Sequence, residues 1–449
     1  MPDKQTAKAN LRKIIQPFQN FVQMESFSGI LLLMLTVIAL LWANMPFGNT
    51  YADLWHTAIS IGLNGAVFSQ SLHFWINDGL MTVFFLLVGL EIKRELLAGE
   101  LSSPRLAALP IFAALGGMIF PALIYAAINH DTPASAGWGI PTATDIAFSL
   151  GVLTLLGSRV SVKLKVFLVA LAIVDDMGAV VLIAIFYSTD LSVMWLAVSI
   201  GIFLFQLMLN YLNVHRVTVY IILGVLLWIS LYYTGIHATI AGVLTAAAIP
   251  ARTRIDRNGF IEMGGRYLDL LKNTRSSEKA QIATGKQQEI ILSIESICEA
   301  AQAPLQRIEH KLHPWVTYLI MPLFALSNAG VTIHGNILDS IAHGTTMGIM
   351  LGLMLGKPVG ITLFTWLAVK MRFAKLPENE SIAKIFGIGM IAGIGFTMSL
   401  FISNLAFGAG ENLDISKIGI LTGSFLSGML GYLYLYAANK NGKHKYQNN

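Results

Sequence analysis

The sequence predicts an all-α, polytopic membrane protein of about twelve transmembrane helices. Three features of the chain predict it. Its 449 residues are 55% hydrophobic and only 12% charged, where an average soluble domain is about 25% charged. Apolar segments near the roughly 20 residues that cross a bilayer as a helix recur from end to end. Lys and Arg fall in alternate connections between those segments, the pattern that orients multi-pass proteins. The net charge of +5 is therefore an orientation signal and not a nucleic-acid footprint.

In order, the spans are 28–45, 74–91, 105–127, 138–156, 164–187, 192–210, 217–233, 236–250, 314–332, 345–369, 385–406 and 417–437. Several are short or Gly-rich, so eleven or thirteen also fit. The tail at 1–20 is basic (Lys4, Lys8, Arg12, Lys13) and no A-x-A cleavage pattern follows, which predicts an uncleaved first helix. The even-numbered spans are followed by Lys93, Arg94 and Arg105, by Arg159, Lys163 and Lys165, by Arg216, by a basic stretch at 251–313, by Lys370, Arg372, Lys375 and Lys384, and by Lys440, Lys443 and Lys445. The other connections have no base: 46–73, the turn before Trp138, the stretch near Asp190, Thr234-Gly235, 333–344 and the acidic 407–416. That alternation places both termini in the cytoplasm. It divides the chain into a tail (1–20), spans one to eight (21–250), a cytoplasmic insertion (251–307), spans nine to twelve (308–438) and a second tail (439–449).

Two pieces lie outside the bilayer. Residues 59–68 carry Asn64-Gly65, a strong two-residue hairpin signal, and read as a small external β-hairpin, with an ordinary loop as the other reading. An exposed edge there could pair with a second copy of the chain. In 251–307, Ile290, Ile294, Ile297, Ala301, Leu305 and Ile308 recur at three- or four-residue spacing, an amphipathic helix over 286–308. It could lie on the bilayer or cover the mouth of a pathway; a solvated insertion is the favoured reading. The single cysteine, Cys298, excludes an intrachain disulfide framework.

The chemistry lies in the few charges at membrane depth: Asp145, Asp175, Asp176 and Lys357. Asp175 and Asp176 are adjacent in the apolar run from Val166 to Tyr187. Each carboxylate at the centre of such a helix costs on the order of 2.5–3.5 kcal/mol. Adjacent like charges also repel. Lys357 is expensive at that depth unless paired, and one lysine cannot neutralise three aspartates. Some carboxylate must take a proton or a cation. Asp145 follows Pro141, Thr142 and Thr144 in a segment that reads as an interrupted helix, because proline removes a helix donor. Segment 385–406 reads similarly, with Gly387, Gly389, Gly393 and Gly395 ahead of Thr397 and Ser399. Each interruption falls within a group of three spans, three to five and ten to twelve, so the two groups have opposite orientation. That fits an inverted repeat with two broken helices meeting at the midplane. Helix N-termini carry partial positive charge and C-termini partial negative charge. Asp145 could balance crossing N-termini and Lys357 crossing C-termini.

The strings Phe-Phe-Leu-Leu-Val-Gly-Leu-Glu-Ile-Lys-Arg-Glu (84–95), Pro-Thr-Ala-Thr-Asp-Ile-Ala-Phe (141–148), Leu-Ala-Ile-Val-Asp-Asp (171–176), Gly-Ile-His-Ala-Thr (235–239), Leu-His-Pro-Trp (312–315), Gly-Lys-Pro-Val-Gly-Ile (356–361) and Gly-Ile-Gly-Phe-Thr-Met-Ser (393–399) resemble NhaA-type sodium/proton antiporters, in order from about 20 to 437. That family is one of those by which inverted-repeat transporters are defined. The resemblance implies a multi-pass protein of the bacterial inner membrane and a dimer joined through the hairpin. It implies that Asp175 and Asp176 bind the ion and that Lys357 pairs with the first of them. It places Asp145 with Thr144 beside the crossed helices, and Asp78 in an outward funnel. Glu91, Lys93, Arg94 and Glu95 match a cytoplasmic cluster linked to pH response, Glu309, His310 and His313 a second part of it, and His237 a further titrating position. The 251–307 segment is longer than the family pattern and abuts Glu309.

The expected activity is exchange of sodium or lithium for protons, without a cofactor, with cation and protons competing for the aspartate pair. If both carboxylates protonate, or one carboxylate and Lys357, two protons move for one sodium and transport is electrogenic. Other classes fit poorly. A channel repeats its filter around a ring, whereas these acids are unrepeated. The chain has no H-E-x-x-H for a metal hydrolase and no G-x-x-x-x-G-K-[ST] for ATP. Gly387–Ala392 fits a loose G-x-G-x-x-A pattern, but no strand precedes it.

Overall fold

The computed structural model describes residues 25–63, 66–188, 191–274, 285–332, 337–377 and 380–443. The tail at 1–20, the Asn64-Gly65 turn, Asp190 and the middle of the 251–307 segment lie outside these. Each predicted span has a helical counterpart. Seven helices among the described residues are long and apolar enough to cross a membrane, or eight if Ile382–Ala392 and Phe396–Phe407, bent by 53° at their break, are one span. Their outward faces are apolar and exposed, as lipid contact requires.

Local signals set the helix starts. Ser103, Ser161 and Ser381 cap Pro104–Asn129, Val162–Phe186 and Ile382–Ala392 through their hydroxyl oxygens. The predicted span 236–250 holds a helix of only nine residues, Ile240–Ala248. A turn through Gly235, at φ +83°, takes up its first residues. It lies tight against Leu72–Ala98: a Cβ on Gly89 would meet Ala246 Cβ at 2.7 Å.

The hairpin forms, with strands Ala58–Leu63 and Ala66–Ser71 paired antiparallel, so it is longer than the predicted 59–68. The insertion contains two helices, Arg257–Asn273 and Gly285–Ala301. The predicted single helix over 286–308 breaks and resumes as Pro304–Trp315. Proline lacks the N–H and pushes the residue before it out of helical conformation. Ile297, Leu305 and Ile308 are buried, as their spacing predicts.

The two groups of three spans pack against each other where Pro104–Asn129 crosses Gly344–Lys370. Gly352, Gly356 and Gly360 recur every fourth residue along the second helix. A Cβ on Gly356 would meet Pro121 Cα at 2.8 Å, and one on Gly360 would strike the Gly116 carbonyl. Small residues permit this approach, and packing replaces the hydrophobic effect as the force between helices in lipid. The Gly360→Ala protein is expected to lose about 1–3 kcal/mol, the usual cost of overpacking. A lowered thermal melting point of the purified protein would show it; an unchanged one would mean the crossing can relax.

Candidate ion-binding site

The first interrupted helix consists of a 3₁₀ stretch, Pro133–Thr142, an extended link at 143–145, and Ile146–Leu155. Asp145 caps that second half by accepting the Phe148 N–H at 2.9 Å. Its other oxygen accepts from the Thr397 N–H at 3.1 Å and from the Thr397 hydroxyl, in the first turn of Phe396–Phe407. One carboxylate therefore caps two half-helices. The Asp145 N–H donates to the Ile394 carbonyl at 2.7 Å. The freed carbonyls are served reciprocally. Thr144 donates to Ala392 O at 3.0 Å, Ser149 to Ile391 O at 3.1 Å and, in return, Ser399 to Ile140 O at 2.8 Å. At bilayer depth such groups have no water to turn to. Asp145 thus faces the crossing N-termini, and Lys357 lies one hydroxyl, that of Thr144, from the Ala392 carbonyl at a C-terminus.

Losing one N-cap costs about 0.5–2 kcal/mol. Asp145→Ala uncaps two helices and is expected to cost roughly twice that, about 1–4 kcal/mol. Asp145→Asn, which keeps an acceptor, should retain most of it. Thermal melting of the two variants checks this; equal melting points would mean that the cap does not hold the crossing together.

Asp175 and Asp176 lie on the unbroken helix Val162–Phe186 and are both buried. Lys357, fully buried, follows a π-helical turn at Gly352–Gly356. Such turns often mark functional positions. Its Nζ donates to Asp175 Oδ2 at 2.7 Å and to the Thr144 hydroxyl. The charges therefore divide unevenly. Asp145 is balanced by two helix N-termini and Asp175 by a lysine. No hydrogen bond or ion pair reaches the Asp176 side chain among the described residues. Asp175 Oδ1 and Asp176 Oδ1 are buried without a donor. A buried carboxylate so placed is stable only with a proton or a cation. The free oxygen on each residue suits either.

A cavity of about 290 Å³ reaches Asp176, Asp145 and Thr144 and has Glu91 and His313 on its wall. Asp175 and Lys357 are not part of its lining. Phe85, Phe324 and Phe401, all buried, pack together as an aromatic layer outside the cavity lining, with centroids 5.3 Å (Phe85–Phe401) and 6.2 Å (Phe324–Phe401) apart. Beyond Phe401 lies His237, whose ring is 5.5 Å away and whose Nε2 is 3.6 Å from Asp78. Asp78 and His237 thus form one group beside the aromatic layer, apart from the other titrating candidates.

Those candidates meet only in part. Arg94 joins Glu95 and Glu309, each at 2.9 Å, across Leu72–Ala98 and Pro304–Trp315. Lys93 instead donates to the Ala247 and Ile249 carbonyls at the end of Ile240–Ala248. His310 is exposed and, unlike His313, is not part of the cavity wall. Thr397, Ser149 and Ser399 were not expected to serve the crossing. Their signal was a hydroxyl two to four residues after each break. Lys417, buried beside Asp414 at 3.8 Å, is a further buried cation that the span edges concealed.

A multi-pass protein with a buried charged site where two interrupted helices cross is a secondary transporter in architecture. Residues 19–435 match the family described as Na+/H+ antiporter 1. The chain is 48% identical over 423 residues, 94% of each chain, to the Na(+)/H(+) antiporter NhaA of Oleidesulfovibrio alaskensis. It is 50% identical over 419 residues to that of Wolinella succinogenes (93% of this chain, 92% of the relative) and 47% over 426 residues to that of Helicobacter pylori (94% and 95%). The chain belongs to this Na+/H+ antiporter family.

Proposed function

We propose that this protein exchanges sodium or lithium for protons, with Asp176 and Asp175 as the shared site. The observation that carries this is the cavity: it opens on Asp176, the one buried carboxylate among the described residues with no protein partner. With the cavity side open, the pair releases protons and takes a cation through its carboxylate oxygens. Proton and cation exclude each other because each neutralises the same charge. Rocking of the two three-span groups, at 104–186 and 344–443, against the remaining helices then exposes the site toward Asp78 and His237. Thr144 and Asp145 hold the crossing in register.

Asp176 carries one proton and Asp175 or Lys357 the second, so each cycle moves one net charge. A potential of 100 mV acts on that charge with about 2.3 kcal/mol. Proton entry then drives sodium export. The relatives' names support antiport and no other activity. The cavity face is cytoplasmic, because the basic connections lie at that end. Both termini share that side, and the protein sits in the bacterial inner membrane. The insertion at 251–307 projects into the cytoplasm between spans eight and nine, and the hairpin at Ala58–Ser71 pairs with a second copy outside.

Regulation by pH belongs to Glu91 and His313 on the cavity wall, together with Glu95 and Glu309, which Arg94 links. Arg94→Gln removes that link and is expected to shift the pH profile of exchange; a superimposable profile would exclude the cluster. The reading as a whole is tested in proteoliposomes with an imposed pH gradient and a pH dye. Sodium and lithium should dissipate the gradient and potassium should not. Equal responses to all three, or none, would remove sodium/proton antiport.

A further inference from the structure

Two openings outside the ion pathway lie along one seam, between Pro104–Asn129 and Val162–Phe186. The first, of about 770 Å³, is at the basic end. Arg105, Lys163, Arg372 and Lys375 line it, with Glu100 the only acid on its wall. Arg105, Arg372 and Lys375 make no ion pair among the described residues. Both helices begin here, capped by Ser103 and Ser161, so their positive ends face the pocket. Arg372 adopts φ +61°, and the Phe373 N–H reaches back to the Ala368 carbonyl at 2.9 Å. That is the helix-ending turn in which glycine is usual. A side chain there costs about 1–2 kcal/mol, yet this one is a cation that completes the pocket.

The second opening, of about 650 Å³, lies further along the same seam. Met118, Leu123, Trp138, Val174, Met177 and Val181 line it, and its wall is almost wholly apolar. Ala170, on the wall of the first pocket, is one helical turn from Val174 on the wall of the second. Leu106, Leu109 and Val166 join them as an apolar floor. The seam is thus cationic at the membrane surface and apolar from there into the bilayer. Free anions suit only the first half and neutral lipids only the second.

We propose that this seam binds an anionic phospholipid, its phosphate between Arg105, Arg372 and Lys375 and an acyl chain along the apolar groove. Basic pockets between helices on the cytoplasmic side suit such headgroups. The occupant touches the ligand-bearing helix on the face behind the aspartates, since Val174 and Met177 flank Asp175 and Asp176. It therefore stabilises the half of the protein that carries the site.

The test uses the full-length protein, delipidated in detergent, and its melting point on titration with dioleoyl phosphatidylglycerol, dioleoyl phosphatidylcholine or inorganic phosphate. A ligand that binds only the folded state raises stability by an amount set by its concentration over Kd. Phosphatidylglycerol should raise the melting point more than phosphatidylcholine, and phosphate should not reproduce the rise. The increment should shrink at least several-fold in Arg105→Gln/Arg372→Gln/Lys375→Gln and in Val181→Trp, which fills the groove at a half-exposed position and leaves every charge in place. It should persist in Arg252→Gln/Arg254→Gln/Arg257→Gln, which removes three cations elsewhere. An equal effect of the two lipids, an equal effect of phosphate, or an increment unchanged by Val181→Trp would each overturn the proposal. If the seam triple variant fails to fold, Val181→Trp and the single Arg372→Gln decide it.

Discussion

Asp176→Asn is expected to reduce sodium-dependent proton movement in proteoliposomes by at least roughly 100-fold, which corresponds to about 2.7 kcal/mol in barrier. Asparagine keeps the shape but can neither hold an exchangeable proton nor supply a negative charge to a cation. The same substitution should leave stability unchanged or raise it, because no donor to Asp176 is lost and an uncompensated buried charge is removed. Loss of activity with an unaltered or raised melting point is thus the expected pair of results. Retained exchange would show that the charge unpaired in this fold is not the one that turns over. Loss of activity together with collapse of the fold would make Asp176 a structural residue instead.

Lys357→Met should behave in the opposite way toward stability. It leaves Asp175 buried without its cation, and removing one partner of a buried pair costs about 3–5 kcal/mol. The change should be seen as a markedly lower melting point. Adding Asp175→Asn to Lys357→Met removes the stranded charge and should recover most of the loss. The four proteins form a double-mutant cycle whose coupling belongs to the 2.7 Å contact. Additive losses would mean that lysine and aspartate do not hold each other in the folded protein. Lys357→Arg should not substitute, because a planar guanidinium does not fit a fully buried slot shared with Thr144.

Much of this site is legible in the residues. The Asp175-Asp176 pair and Lys357 are conspicuous because each violates the rule against charge at bilayer depth, so burial and pairing follow from composition and span placement. The interruption at Asp145 follows from Pro141, and that at 393–395 from its glycines. The placement of the helices follows from the length of the apolar runs. These are local quantities, readable along one strand of sequence.

Which carboxylate Lys357 neutralises and which remains alone is not local. Asp175 and Asp176 are neighbours on one helix, and only the crossing of Gly344–Lys370 over Pro104–Asn129, brought close by Gly352, Gly356 and Gly360, directs the lysine to the first. The double cap by Asp145 likewise needs Thr397 from a segment some 250 residues away. The split of the titrating candidates into an Asp78–His237 group and an Arg94-linked group depends on where the aromatic layer falls, and Phe85, Phe324 and Phe401 come from three separate helices. The sequence by itself determined that this is a multi-pass protein with a buried charged centre, because the cost of burying charge is set by residue type and depth. The tertiary structure alone decided which charge is left open and from which side, because pairing and access depend on distances between segments far apart in the chain.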